Sequence, residues 1–182
     1  MATDRRKRIP IEERREQILE AALEEFGHKG LHGGTTVTIA KQVGISHPNL
    51  FRIYPTKHEL FIATLERVFD MVEREMLTAG ERSPDTPLQA MSDAWGGLME
   101  RREVMFMLLQ GYAASGDPTI RDIMHGWTRG VFERIEVLPG VGADLAHDFF
   151  AAGLLYMSAA ALDLPARADQ DPWAAKFLDS GS

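Results

Sequence analysis

The chain has 182 residues, of which 45% are hydrophobic, with no cysteine and a formal charge of −7. That length allows one or two cores, and the missing thiols exclude disulfides and thiolate metal sites and suit a reducing cytoplasm. Charge is unevenly spread: residues 1–60 hold ten Lys/Arg against eight Asp/Glu (+2), and residues 61–182 hold ten against nineteen (−9). An acidic body repels phosphates, so only the slightly basic N-terminal part suits an approach to nucleic acid.

The first eight residues carry four basic groups with no apolar run behind them, so no signal peptide is expected. Arg5, Arg6 and Arg8 read as a solvated terminus or, ahead of a DNA-binding unit, as a flexible arm touching backbone or minor groove. A first helix is expected over 11–26, with Ile18, Leu19, Ala22, Leu23 and Phe26 on one side and Gly27 and Gly30 ending it.

Residues 35–60 are the most informative. Ile39 and Val43 share a helical face, and Gly44 follows where a chain leaving a helix favours positive φ. Ser46 is placed to N-cap a second short helix whose Leu50 and Ile53 face inward. Pro55 stops that helix, and Thr56-Lys57-His58-Glu59 opens another with a capping box. This is a helix-turn-helix, whose second helix enters the major groove. The next helix, over 56–78, carries Phe61, Leu65, Val68, Val72 and Met76 as one stripe; at ~1.5 Å per residue it is roughly 34 Å long.

The exposed start of the recognition helix, Ser46, His47, Pro48 and Asn49, is expected at base edges. Asn49 can pair with adenine, His47 can donate to a guanine acceptor, and Pro48 offers only apolar contact. Thr36 and Lys57, each at a helix start, suit phosphate contacts, and Tyr54 adds a hydroxyl. Arg52 reads as solvated or phosphate-bound, and Phe51 as packing.

Gly30, Thr35-Thr36-Val37, Ile39-Ala40, Val43-Gly44-Ile45-Ser46, Leu50-Phe51 and Lys57-x-Glu59-Leu60-Phe61 together resemble the N-terminal domain of the TetR family of transcriptional regulators. The resemblance covers about the first third of the chain. It supports the DNA-facing positions Thr36, His47, Asn49 and Lys57. Phe51, Ile53 and Pro48 stand where the family often has Tyr, His and Gly, so the contact partners do not carry over. The resemblance further implies effector binding in the second domain, altering the separation of two DNA-binding heads. It also implies a four-helix subunit interface, although the final helix here is short.

Beyond residue 78 the pattern stays helical: a loop over 79–85, then helices over 87–99, 101–114, 118–137 and 143–162. Pro165 is expected to end the last of these, and Asp171-Pro172 to cap a short helix through Leu178. The expected fold is all-α: a helix-turn-helix domain over 1–55, then a larger helical effector-binding and dimerisation domain over 56–182. The longest nearly apolar run, 149–162, has 14 residues against the ~20 needed to cross a bilayer, so a soluble protein is expected.

Helix 143–162 is apolar almost all round and so must be buried on more than one side. It reads as the centre of a monomeric bundle or, with the C-terminal helix, as a homodimer interface. Two paired heads about 34–36 Å apart could read a palindromic operator in duplex DNA. Trp95, Met99, Phe106, Gln110, Met124, His125, Trp127 and Tyr156 are candidates for an effector pocket, or plain core.

The function expected is a ligand-responsive repressor released by a small hydrophobic effector. The alternative is a dimeric helical carrier of a hydrophobic ligand without DNA function. An enzyme is not expected. His58-Glu59 lacks a second His at position 62, His28 and His32 flank Gly30, and no phosphate loop or nucleophile–base arrangement stands out. No metal or cofactor site is expected.

Overall fold

The computed structural model describes residues 10–178, and Arg5, Arg6 and Arg8 lie outside them. The described chain is helical throughout and contains no strand. α1 (Ile11–Gly33) buries Ile18, Leu19, Ala22, Leu23 and Phe26, as the apolar spacing predicts. It does not stop at Gly27. A Cβ there would lie 3.1 Å from the Glu103 carbonyl oxygen, so this glycine lets a later helix pass close by. Gly30 is the actual break, with φ 68° and ψ −179°, a conformation open essentially to glycine alone.

α2 (Thr36–Val43) and α3 (His47–Phe51) follow, then α4 (Lys57–Val72). Thr56 and Glu59 form the expected capping box: Glu59 N–H donates to Thr56 Oγ1 (3.0 Å), and Thr56 N–H donates to Glu59 Oε2 (3.2 Å). Phe61 meets Phe26 edge-on at 5.3 Å, which ties α4 to α1. Burying each such ring contributes roughly 2–3 kcal/mol. On the outside, Arg67 of α4 reaches Glu16 and Glu20 of α1 at 3.1 and 2.6 Å.

The first four residues of the expected loop, 79–82, are instead helix, and 83–85 are loop as expected. α4 continues through one π-helical turn (Glu73–Leu77) into α5 (Thr78–Arg82), because Met76, Leu77 and Gly80 are still buried. α6 (Pro87–Met99), α7 (Arg102–Ala113), α8 (Pro118–Glu136) and α9 (Gly142–Ala161) complete the main body. Asp117 caps α8, its Oδ1 accepting from Thr119 and Ile120 N–H. α7 is the central helix, packed on α1, α4, α6, α8 and α9. One continuous apolar core therefore runs from Ile18 to Ala160.

α9 packs Ala146, Met157 and Ala160 into the main core and Ala159 against Leu164 and Ala174, while Leu145, Leu154 and Leu155, with Leu162 just past its end, stand exposed. It ends at Asp163, which turns left-handed (φ 59°), and not at Pro165, which sits inside the short α10 (Leu164–Arg167). α11 (Pro172–Leu178) closes the described chain, with Asp171 Oδ1 accepting from Trp173 N–H. No helix among the described residues is long and apolar enough to cross a membrane.

Candidate nucleic-acid interface and effector cavity

The turn between α2 and α3 is built by the backbone. Gly44 adopts φ 70° and ψ 34°; its N–H bonds Lys41 O, and Ile45 N–H bonds Ala40 O, a Schellman ending. α2 itself is capped by Thr35, whose hydroxyl accepts from Thr38 N–H at 3.2 Å. Ser46 holds the N-cap position of α3, but its side chain makes no capping bond and faces solvent. The hydroxyl expected to close the helix start is thus left free.

Ser46, Pro48, Asn49 and Arg52 are all exposed and line the outer side of α3. His47 is half-buried. Its Nε2 lies 2.7 Å from Thr36 Oγ1, and its ring stands edge-on to Phe51 at 4.6 Å. The pair pins the start of α3 to the start of α2. Thr36 is correspondingly buried, so its hydroxyl serves His47, and the α2 N-terminus offers backbone amides instead. The sequence reading passes over Val37 and Thr38, both exposed on that same first turn. Their signal was available: neither falls on the Ile39–Val43 apolar face.

Lys57 is half-buried and donates to His32 O and Gly34 O, each at 3.3 Å, leaving one ammonium hydrogen free. It ties the start of α4 to the end of α1. Tyr54 packs on the core, apart from the exposed α3 group. Burial pushes its phenol up, with Arg15 opposing and Glu16 and Glu66 adding to the shift.

The body holds a cavity of about 480 Å³ between α6, α8, α9 and the π-helical turn. Four expected residues line it: Trp95, Met99, Trp127 and Tyr156. The other four do not. Phe106 and Gln110, one turn apart on α7, face α1: Phe106 lies 5.3 Å from His28, and Gln110 Nε2 donates to Gly27 O at 3.4 Å. Met124 fills the space over Gly111, and His125 is exposed. Helical spacing cannot tell which of its two partners a central helix presents a face to. Among the described residues, no group of His, Cys, Asp and Glu could hold a metal ion.

Residues 18–64 match the sequence profile described as bacterial regulatory proteins, tetR family. The HTH-type transcriptional activator FasR of Mycolicibacterium smegmatis is 41% identical over 66 residues, 36% of this chain and 30% of FasR. The HTH-type transcriptional regulator RutR of Escherichia coli K12 is 36% identical over 69 residues, 38% of this chain and 32% of RutR. The match thus spans about a third of the length of either relative. The nucleoid occlusion factor SlmA of Salmonella dublin is 30% identical over 126 residues, 68% of this chain and 62% of SlmA.

Among solved structures, a TetR-like transcriptional regulator from Rhodococcus sp. RHA1 superposes with a TM-score of 0.68 at 24% identity, covering 95% of both chains. A transcriptional regulator from Pseudomonas aeruginosa PAO1, given as putative, reaches 0.67 at 17% identity, covering 97% of this chain and 93% of that one. At such identities the likeness concerns the fold, and it extends over nearly the whole length. The head carries the sequence match to the tetR family profile, and nearly the whole chain carries the fold of the TetR-like regulator among solved structures.

Proposed function

We propose that the chain is a ligand-responsive transcriptional repressor that binds a palindromic operator as a homodimer. The observation that carries this reading is the exposed outer side of α3, where Ser46, Pro48 and Asn49 are left without internal partners beside the pinned His47. In this reading residues 1–55 form the DNA-binding unit and 56–182 the effector-binding and dimerisation unit. The exposed leucines of α9 supply the subunit interface, together with α11. A guest in the cavity touches Val72, the last residue of α4, and Met76 in the turn that continues it, and α4 also carries Lys57. A ligand favouring the form that fits DNA poorly would release the operator. The cavity also suits the second reading, a hydrophobic-ligand carrier without DNA function.

Selection of bound fragments from random DNA, followed by binding titrations at several salt concentrations, separates the two. The regulator reading expects a palindrome and an affinity that falls steeply with salt. In that assay Asn49→Ala should relax preference at particular base pairs by about 1–3 kcal/mol, whereas Lys57→Ala should weaken all sequences alike. Salt-insensitive binding, or a monomer in sedimentation at micromolar concentration, would overturn the proposal.

A further inference from the structure

The Thr36–His47 contact, Oγ1 to Nε2 at 2.7 Å, can run in either direction. In a neutral imidazole one ring nitrogen carries the proton and the other accepts. With the proton on Nε2, Thr36 Oγ1 would accept, and the Thr36 hydroxyl proton would need a separate acceptor. Among the described residues His47 is the only side-chain or backbone partner of that hydroxyl, and Thr36 is only 7% exposed. Its surroundings supply donors and few acceptors, because Thr36 is the first residue of α2 and a helix start presents free N–H groups. The neighbouring hydroxyl is engaged elsewhere: Thr35 Oγ1 bonds Thr38 N–H and Thr38 Oγ1. The reverse direction leaves no buried proton unpaired. The Thr36 hydroxyl donates to Nε2 and the ring proton sits on Nδ1. That nitrogen has no partner among the described residues and is not sealed from solvent.

We propose that Thr36 is a positioning residue that holds His47 in its Nδ1–H form, so that the start of α3 presents a hydrogen-bond donor to DNA. This rests on the reading of α3 as the DNA-facing helix and adds the sense of its His47 contact. Phe51, edge-on to the imidazole at 4.6 Å, steadies the ring from α3 itself. A donor here selects acceptors, such as guanine N7 and O6 at a base edge or a phosphate oxygen. It turns away the amino groups of adenine and cytosine, which the opposite tautomer would accept from.

Nitrogen-15 NMR of the full-length protein, histidine-labelled and held at about pH 8 to keep the ring neutral, reads the tautomer directly. The His47 signals are those lost in H47Q. The proton should reside on Nδ1 in the parent and in T36S, which keeps the hydroxyl. In T36V, which removes it at similar volume, that preference should fall by about fivefold.

Titrations against an operator selected from random DNA give the second readout. H47A and T36V should each weaken binding by about tenfold, T36S by less than about threefold, and T36V/H47A no more than H47A alone. H47N, whose amide nitrogen replaces Nδ1, should retain more affinity than H47Q, whose amide nitrogen replaces Nε2. A loss confined to sites with guanine at one base pair identifies a base edge, and an equal loss on every sequence identifies a phosphate.

A ring proton on Nε2 in the parent, T36S behaving as T36V, or additive losses in T36V/H47A would each overturn the assignment. The parent spectrum and the His47 variants carry both readouts if T36V does not fold. The Nδ1–H pattern in a protein that binds no palindrome sinks the regulatory reading and the DNA contact together, and leaves the hold of Thr36 on the ring standing. Salt-sensitive palindrome binding with the proton on Nε2 sinks the donor assignment alone.

Discussion

The head, from α1 to the start of α4, and the body, from the π-helical turn to α9, use their polar groups in opposite ways. In the head nearly every internal polar contact joins one short element to the next. Thr35 caps α2, His47 meets Thr36, Lys57 holds two carbonyls at the end of α1, and Thr56 and Glu59 cap each other. The body buries two indole donors with no partner and lines a cavity of about 480 Å³ mainly with apolar side chains. Five-residue α3 cannot hold its shape by its own hydrogen bonds. Its geometry is imposed by side chains on both sides, which fixes an outward surface. The body is stabilised by apolar burial, which is non-directional and can tolerate a space for a guest.

The contrast can be tested where the two regions meet. Gly30→Ala should have the largest effect, because the new Cβ would lie 2.6 Å from Gln110 Oε1 and the backbone conformation excludes a side chain. A loss of about 3 kcal/mol in urea unfolding is expected. Gly44→Ala is the control: it has left-handed φ but nothing within 4 Å, so strain alone costs about 1 kcal/mol. Equal losses at the two positions would mean that α1 and α7 are not tightly joined.

Within the head, Thr56→Ala removes a cap bond at the entry to α4 and should cost about 1 kcal/mol. Glu59→Ala should cost less, since the Thr56 hydroxyl still satisfies an amide. Thermal unfolding of both variants checks that order.

The smallest effect concerns Asp117. The Ile120 N–H, with Thr119 N–H and His58 assisting, holds its carboxyl below the usual carboxylate range. A depressed carboxylate contributes stability above its unfolded value of about 3.9, and that contribution disappears as pH falls through the lower folded value. Asp117→Asn should therefore lower the melting temperature slightly at neutral pH and converge with the parent as pH falls, so that the acid limb flattens.

Local signals made the head readable. Gly44 and the Thr56–Glu59 pair each depend on neighbours within a few residues, and each stands where its spacing predicts. The misreadings share a cause in distant packing. Gly27 passes for a helix stop until α7 is seen lying against it, and the first four residues of the loop predicted over 79–85 are helix because Gly80 packs against Met91. Ser46 has a capping residue's identity without its bond. Of the expected cavity residues, Phe106 and Gln110 face α1, because α7 sits at the centre and presents its faces to several partners, whereas on α8 Met124 turns to Gly111 and His125 to solvent. Pro165 is ordinary in the first turn of α10, and the earlier reversal at Asp163 carried no sequence signal comparable to glycine.

The wide turn at Glu73–Leu77 has a mechanical implication. Its amide-to-carbonyl closure spans five residues, as from Thr78 N–H to Glu73 O, so it stores one residue more than an ordinary winding. Returning that residue to regular winding would advance the rod by ~1.5 Å and rotate it by about 100°. Movement along this shaft therefore comes in whole notches, set by which carbonyl each amide selects, and a molecule wedged beside Met76 would press on the pawl.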